Sequence, residues 1–158
     1  MDATIGLLLN LLDESFDARA WHGTNLRGSL RGITAKEASW RPAKGRHTIW
    51  EITLHTAYWK YAVRNRLQGG KRGSFLLRGS NWFSREDPHN NRLWTDEIAL
   101  LVREHRLLRD VVERLTPADL EMTPAGKNVR KGTLVRGIAS HDLYHAGQIQ
   151  LIKRLMRR

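Results

Sequence analysis

Two histidines four residues apart, His141 and His145, are the side chains best placed to do chemistry. They fall in a segment whose apolar stripe runs Leu134, Ile138, His141, His145, Ile149, Ile152 and Met156, with the three- and four-residue steps of one helix face. At that spacing the two imidazoles lie one above the other, where a helix otherwise sends aliphatic side chains into a core. A buried polar group without a partner costs roughly 1–3 kcal/mol. Two stacked buried imidazoles therefore point to a shared partner, and a metal ion is the simplest one.

A helical His-x-x-x-His pair supplies two ligands, and three protein ligands with one open position is the pattern of a catalytic zinc-type site. His55, beside Ile52 and Trp59 on another predicted helix, is the candidate third ligand, because a neighbouring helix of a bundle can present it at the same level. The competing account has His141 and His145 each bonded to a core carbonyl or hydroxyl. His105 lies on the apolar stripe of a further helix and is a candidate fourth ligand, against the commoner role of a satisfied core histidine. Asp142 either orients a ligand from behind or faces solvent. Gln148 edges the same pocket or the rim of the core. His22, between Trp21 and Gly23 in a helix break, could bond backbone or line a pocket, whereas His47 helps to start its helix. His-Asp-Leu-Tyr-His also invites comparison with the His-Glu-x-x-His of zinc proteases, but its acid is one methylene shorter.

The elements that must position these residues are helical. Residues 4–18 carry the stripe Ile5, Leu8, Leu12 and Phe16; residues 49–67 follow a capping-box pair at Thr48 and Glu51; residues 91–115 carry Trp94, Ile98, Leu101, His105 and Leu108. The last helix is expected to start at Thr133. Short helical pieces are expected near 25–32, 34–40 and 117–120. Residues 69–90 form a long connection rich in Gly, Ser, Asn and basic residues, with Phe75, Trp82 and Phe83 embedded in it. No stretch alternates as a strand would and none repeats. The expectation is an all-α single domain over 1–158: a four-helix bundle with a long loop between its second and third long helices.

Composition narrows the chemistry. The chain has no cysteine, which removes disulfides, thiolate ligands and a cysteine nucleophile together. The net charge of +11 admits nucleic acid as a partner. Much of it, however, is spread singly along helix faces, as in Arg103, Arg106, Arg109 and Arg114 among Glu97, Glu104, Asp110 and Glu113, the pattern of a solvated surface. No apolar run nears the ~20 residues of a membrane span, and the opening apolar run has no basic stretch before it, so the expected location is the cytoplasm.

Trp21-His22-Gly23, Asn25-Leu26-Arg27, Trp40-Arg41-Pro42, Ile49-Trp50-Glu51, His55 with Trp59-Lys60, and His141-Asp142-x-x-His145-Ala146-Gly147-Gln148-Ile149 together resemble the DinB/YfiT-like superfamily, the damage-inducible-type bacterial proteins. The resemblance extends over essentially the whole chain. It implies an up-down-down-up four-helix bundle, often a homodimer, with a divalent metal (zinc, nickel or iron) held by His55, His141 and His145. Members with known activity include thiol-dependent transferases and isomerases. The leading expectation is thus a metal-dependent enzyme with a small-molecule substrate, thiol S-transferase-like or hydrolytic. An open metal position lowers the pKa of a bound low-molecular-weight thiol or of water. Lacking cysteine, the chain needs that thiol to arrive from outside. The basic loop, through Arg72 and Arg78, could recognise an anionic substrate. The alternative is a non-catalytic, metal-stabilised bundle acting in stress response through protein or nucleic-acid contacts.

Overall fold

In the computed structural model of the chain, residues 2–70, 74–79, 81–85 and 87–157 are described. Most helices start where the sequence supplies a side-chain acceptor for otherwise orphaned amides. Asp2 caps α1 (Ala3–Phe16), Asn25 caps α2 (Leu26–Ser29), and Thr34 with Glu37 forms a capping box for α3 (Ala35–Ser39). Thr48 and Glu51 form another for α4 (Ile49–Leu67), Asn90 caps α5 (Asn91–Glu113), and Thr116 with Asp119 caps α6 (Pro117–Glu121). The last helix, α7 (Lys131–Met156), has no side-chain cap and begins two residues before Thr133. A tertiary contact sets that start: the Lys131 amide donates to the Met122 carbonyl at 2.9 Å, and Gly132 lies against Leu120. α4 stops where Gly69 takes the left-handed conformation (φ 68°) that a helix end accepts most cheaply from glycine. The described residues contain no β-strand, so the protein is all-helical.

α1, α4, α5 and α7 enclose two apolar clusters. One gathers Phe16, Leu26, Ile49, Trp50, Leu54, Phe75, Phe83, Trp94, Leu101 and Ile149. The other gathers Ile5, Leu8, Leu12, Val63, Leu67, Leu108, Val112, Val135 and Ile138. On α4, α5 and α7 alike, a buried polar residue marks the border between them: Lys60 before Val63, His105 before Leu108, and Asp142 after Ala139. Lys60 and Asp142, both fully buried, form an ion pair, and the Lys60 ammonium reaches His105 Nδ1 at 3.3 Å. Paired residues advance together along α4 and α5, from Trp50 with Trp94 to Lys60 with His105. They run in opposite senses along α4 and α7, where His55 meets His145 and Lys60 meets Asp142, and along α1 and α5, where Asp13 meets Arg109 and Phe16 meets His105.

Two details depart from the pattern expected of the sequence. The buried face of α7 is centred on Val135, Ile138, Asp142, His145 and Ile149, so Asp142 is inside and His141 stands at its edge. Glu97 and Glu104 are buried rather than solvated: Glu97 accepts hydrogen bonds from Trp50 and Arg85, and Glu104 from Arg64 and Arg103. Trp21 is fully exposed, while Trp50 and Trp94 belong to the core. Among the described residues, no helix is long and apolar enough to cross a membrane.

Candidate metal centre

α4 delivers His55, and one turn of α7 delivers His141 and His145, to a common point. His141 Nε2 lies 3.2 Å from His55 Nε2 and 3.1 Å from His145 Nε2, and one ligand atom from each ring falls within 4.8 Å of the others. Nitrogens around a tetrahedral ion with metal–nitrogen bonds of about 2.0–2.1 Å stand about 3.3 Å apart, close to this spacing.

The far side of two rings fixes their tautomers. His55 Nδ1–H donates to the Asn81 carbonyl at 2.9 Å, and His145 Nδ1–H donates to Gln148 Oε1 at 2.7 Å. A carbonyl oxygen only accepts, so each Nδ1 carries the proton and each Nε2 presents a lone pair. His141 Nε2 sits between those lone pairs. As an N–H it could satisfy only one of them, and its own buried Nδ1 has no hydrogen-bond partner among the described residues. A cation at the common point accepts electron density from all three nitrogens at once. The donor set therefore fits a divalent metal bound through neutral imidazoles.

Electrostatics keep the rings neutral. Burial, aided by the neighbouring histidines, lowers the pKa of His55 to about 4 and that of His141 to about 3; burial also lowers that of His145. Neutral imidazole is the form that ligates, so protons compete weakly for this point near neutrality.

The histidines open onto a pocket of about 830 Å³, with Ile52, Leu151, Ile152 and Leu155 forming apolar wall and His47, Trp82, Tyr144 and Gln148 adding polar or aromatic lining. Trp82 stacks on His55 with centroids 3.8 Å apart and planes 10° apart, and on its other face carries His47 at 3.5 Å and 1°. Asn81 holds this wall in place. Its φ of 63° is one that asparagine tolerates better than most residues, and its side-chain oxygen accepts from Trp59 Nε1 at 2.6 Å while its carbonyl holds His55.

The other candidates scatter. Asp142 is fully buried against Lys60 and does not face solvent; burial raises its pKa to about 6 despite the ammonium beside it. His105 stands in the same closed layer, stacked on Phe16 with centroids 3.8 Å apart, outside the three-histidine group. His22 is exposed and lines none of the main pocket. Gln148 does line it and fixes the His145 tautomer. Of the basic loop, Arg78 is exposed and Arg72 lies outside the described residues.

A family model described as the DinB superfamily matches residues 18–149. The chain belongs to the DinB superfamily. No curated protein and no solved structure matches it. In this DinB-superfamily chain Asn81, Trp82 and Tyr144 also build the site, and His47 lies in its wall, although no motif marked them in the sequence. The signal for Asn81-Trp82 was faint: a tryptophan inside a polar loop, with an asparagine before it able to adopt a positive φ.

Proposed function

We propose that His55, His141 and His145 hold one divalent ion (zinc, nickel or iron), and that the protein is a metal-dependent enzyme with a small-molecule substrate, thiol S-transferase-like or hydrolytic. One observation carries this: two lone pairs fixed by Asn81 and Gln148 converge with a third nitrogen that can satisfy only one of them. When bound, the ion would act as a Lewis acid that lowers the pKa of a thiol or water. The chain's own residues do the rest. Asn81 and Gln148 hold two imidazoles in the ligating tautomer, Trp82 covers one face of His55, and the aliphatic wall of Ile52, Leu151 and Leu155 limits water around a bound substrate.

The single domain is read as an up-down-down-up four-helix bundle, which the shared sense of α4 with α5 and the opposed sense of α4 with α7 support. Homodimer formation rests on the family likeness alone, and light scattering tests it. The enzyme reading is tested with cobalt(II)-loaded protein. Small thiols or hydrolysable esters should perturb the cobalt spectrum saturably, whereas a spectrum blind to every such ligand would contradict an open, substrate-accessible centre.

A further inference from the structure

His47 is a fourth histidine in the pocket wall, and helix capping does not explain it. The capping box at the start of α4 is complete without it: the Glu51 amide donates to Thr48 Oγ1 at 3.1 Å, and the Thr48 amide donates to Glu51 Oε2 at 3.1 Å. Glu51 is nonetheless buried and rigidly held, taking two hydrogen bonds from Arg41 at 2.7 and 3.1 Å. Onto this fixed carboxylate His47 turns Nδ1, at 3.2 Å from Oε2. The carboxylate accepts, so Nδ1 carries the proton and Nε2 is left as the free end of the ring. Among the described residues Nε2 has no hydrogen-bond partner, and the side chain is 44 % exposed, within the lining of the pocket that the three histidines share.

The indole of Trp82 fixes where that free end stands. His47, Trp82 and His55 form a continuous parallel stack, so His47 and the candidate ligand His55 lie one indole apart along the same wall. Positive charge on His47 also acts on both His55 and His145. The charged and titratable groups facing His47 are Glu51 on its own helix, Arg41 and Arg46 on the segment before it, His55 beyond the indole and His145 on α7. A carboxylate that orients an imidazole whose other nitrogen faces a reaction space is the arrangement of a general base.

We infer that His47, oriented by Glu51, takes the proton of a protic ligand that enters the open side of the three-histidine centre. This rests on the metal reading above. In the step, the ligand's X–H bond breaks, the electron pair stays on X, and the proton moves to His47 Nε2. The imidazolium so formed is stabilised through Nδ1–H by the Glu51 carboxylate. His47 is thereby a catalytic residue, and Glu51 and Trp82 position it.

The test needs no physiological substrate. Stopped-flow absorbance follows 2-mercaptoethanol binding to cobalt-loaded protein, in light and in heavy water. Wild type should bind thiol roughly 100-fold faster than His47→Gln, which can hydrogen-bond but cannot take a proton. The variant should keep its cobalt, and free imidazole added to it should restore part of the rate. Equal binding rates in the two proteins overturn the proposal and leave the metal centre standing. Failure of wild type to take up cobalt overturns both. Should the variant lose its metal, the wild-type isotope effect decides: slower binding in heavy water supports proton transfer in this step, and an unchanged rate refutes the assignment.

Discussion

His141 and Asp142 are neighbours on α7, about 100° apart around the helix, yet they enter two polar clusters that resolve burial in opposite ways. Asp142 joins Lys60 and His105 in a closed layer between the apolar clusters, where the one carboxylate has its ammonium. His141 joins His55 and His145 beside an open pocket, where acceptors converge and the protein supplies too few protons to satisfy them. A buried polar side chain is therefore not in itself a sign of function. Among the described residues Asp142 Oδ1, like His141 Nδ1, lacks a hydrogen-bond partner, so what separates the two clusters is charge: the carboxylate has a cation from the chain, whereas three imidazole nitrogens converge with none between them.

Breaking the closed cluster should have the largest effect on the fold. Lys60→Met leaves the Asp142 carboxylate without its counter-charge, and urea unfolding should report a loss of about 3–5 kcal/mol. Adding Asp142→Leu should restore most of that stability, because an apolar pair can replace a buried ion pair. Metal uptake by the folded double variant should equal that of wild type. Loss of metal binding in it would mean that the two clusters are one unit.

Breaking the open cluster should do the reverse. His55→Ala should weaken zinc binding, measured by chelator competition, by more than the roughly 10–100-fold that outer partners contribute. Its metal-free stability should change far less than that of Lys60→Met. Gln148→Ala leaves every ligand in place and releases only the His145 tautomer, so it should cost about 10–100-fold in zinc affinity.

Acid stability reports on the neutral rings of the open cluster. His55 and His141 have pKa values of about 4 and 3 in the folded chain, below the ordinary imidazole value of about 6.5. The unfolded chain therefore binds protons first as pH falls. The stability held in these neutral rings is complete above about pH 6.5 and is lost on acidification towards pH 4. The urea midpoint of metal-free protein should fall across that window, and His55→Leu should make the fall shallower. A midpoint as pH-dependent in the variant as in wild type would show that this ring is not held neutral.

Much of this was legible in the sequence because it is local. Capping pairs such as Thr48 with Glu51 mark helix starts, and the spacing of His141 and His145 puts two imidazoles on one face whatever surrounds the helix. What the sequence hid depends on residues far apart in the chain. Nothing near Asp142 announces that Lys60, 82 positions earlier, will draw it into the core, so Leu134 and His141 were expected on the face where Val135 and Asp142 are buried. Glu97 and Glu104 read as surface charges because the arginines and the tryptophan that bury them come from α4 and the long loop. Asn81 was invisible for a similar reason: its role needs a positive φ and two partners on another element.

The most direct test of the metal centre is the metal content of tag-free protein purified without added metal, beside His145→Ala prepared in the same way. The three-histidine account predicts close to one ion per chain in the wild type and little in the variant. If neither protein carries metal, and the metal-free chain fails to bind zinc or nickel tightly on titration, the converging histidines are core residues and the account is wrong.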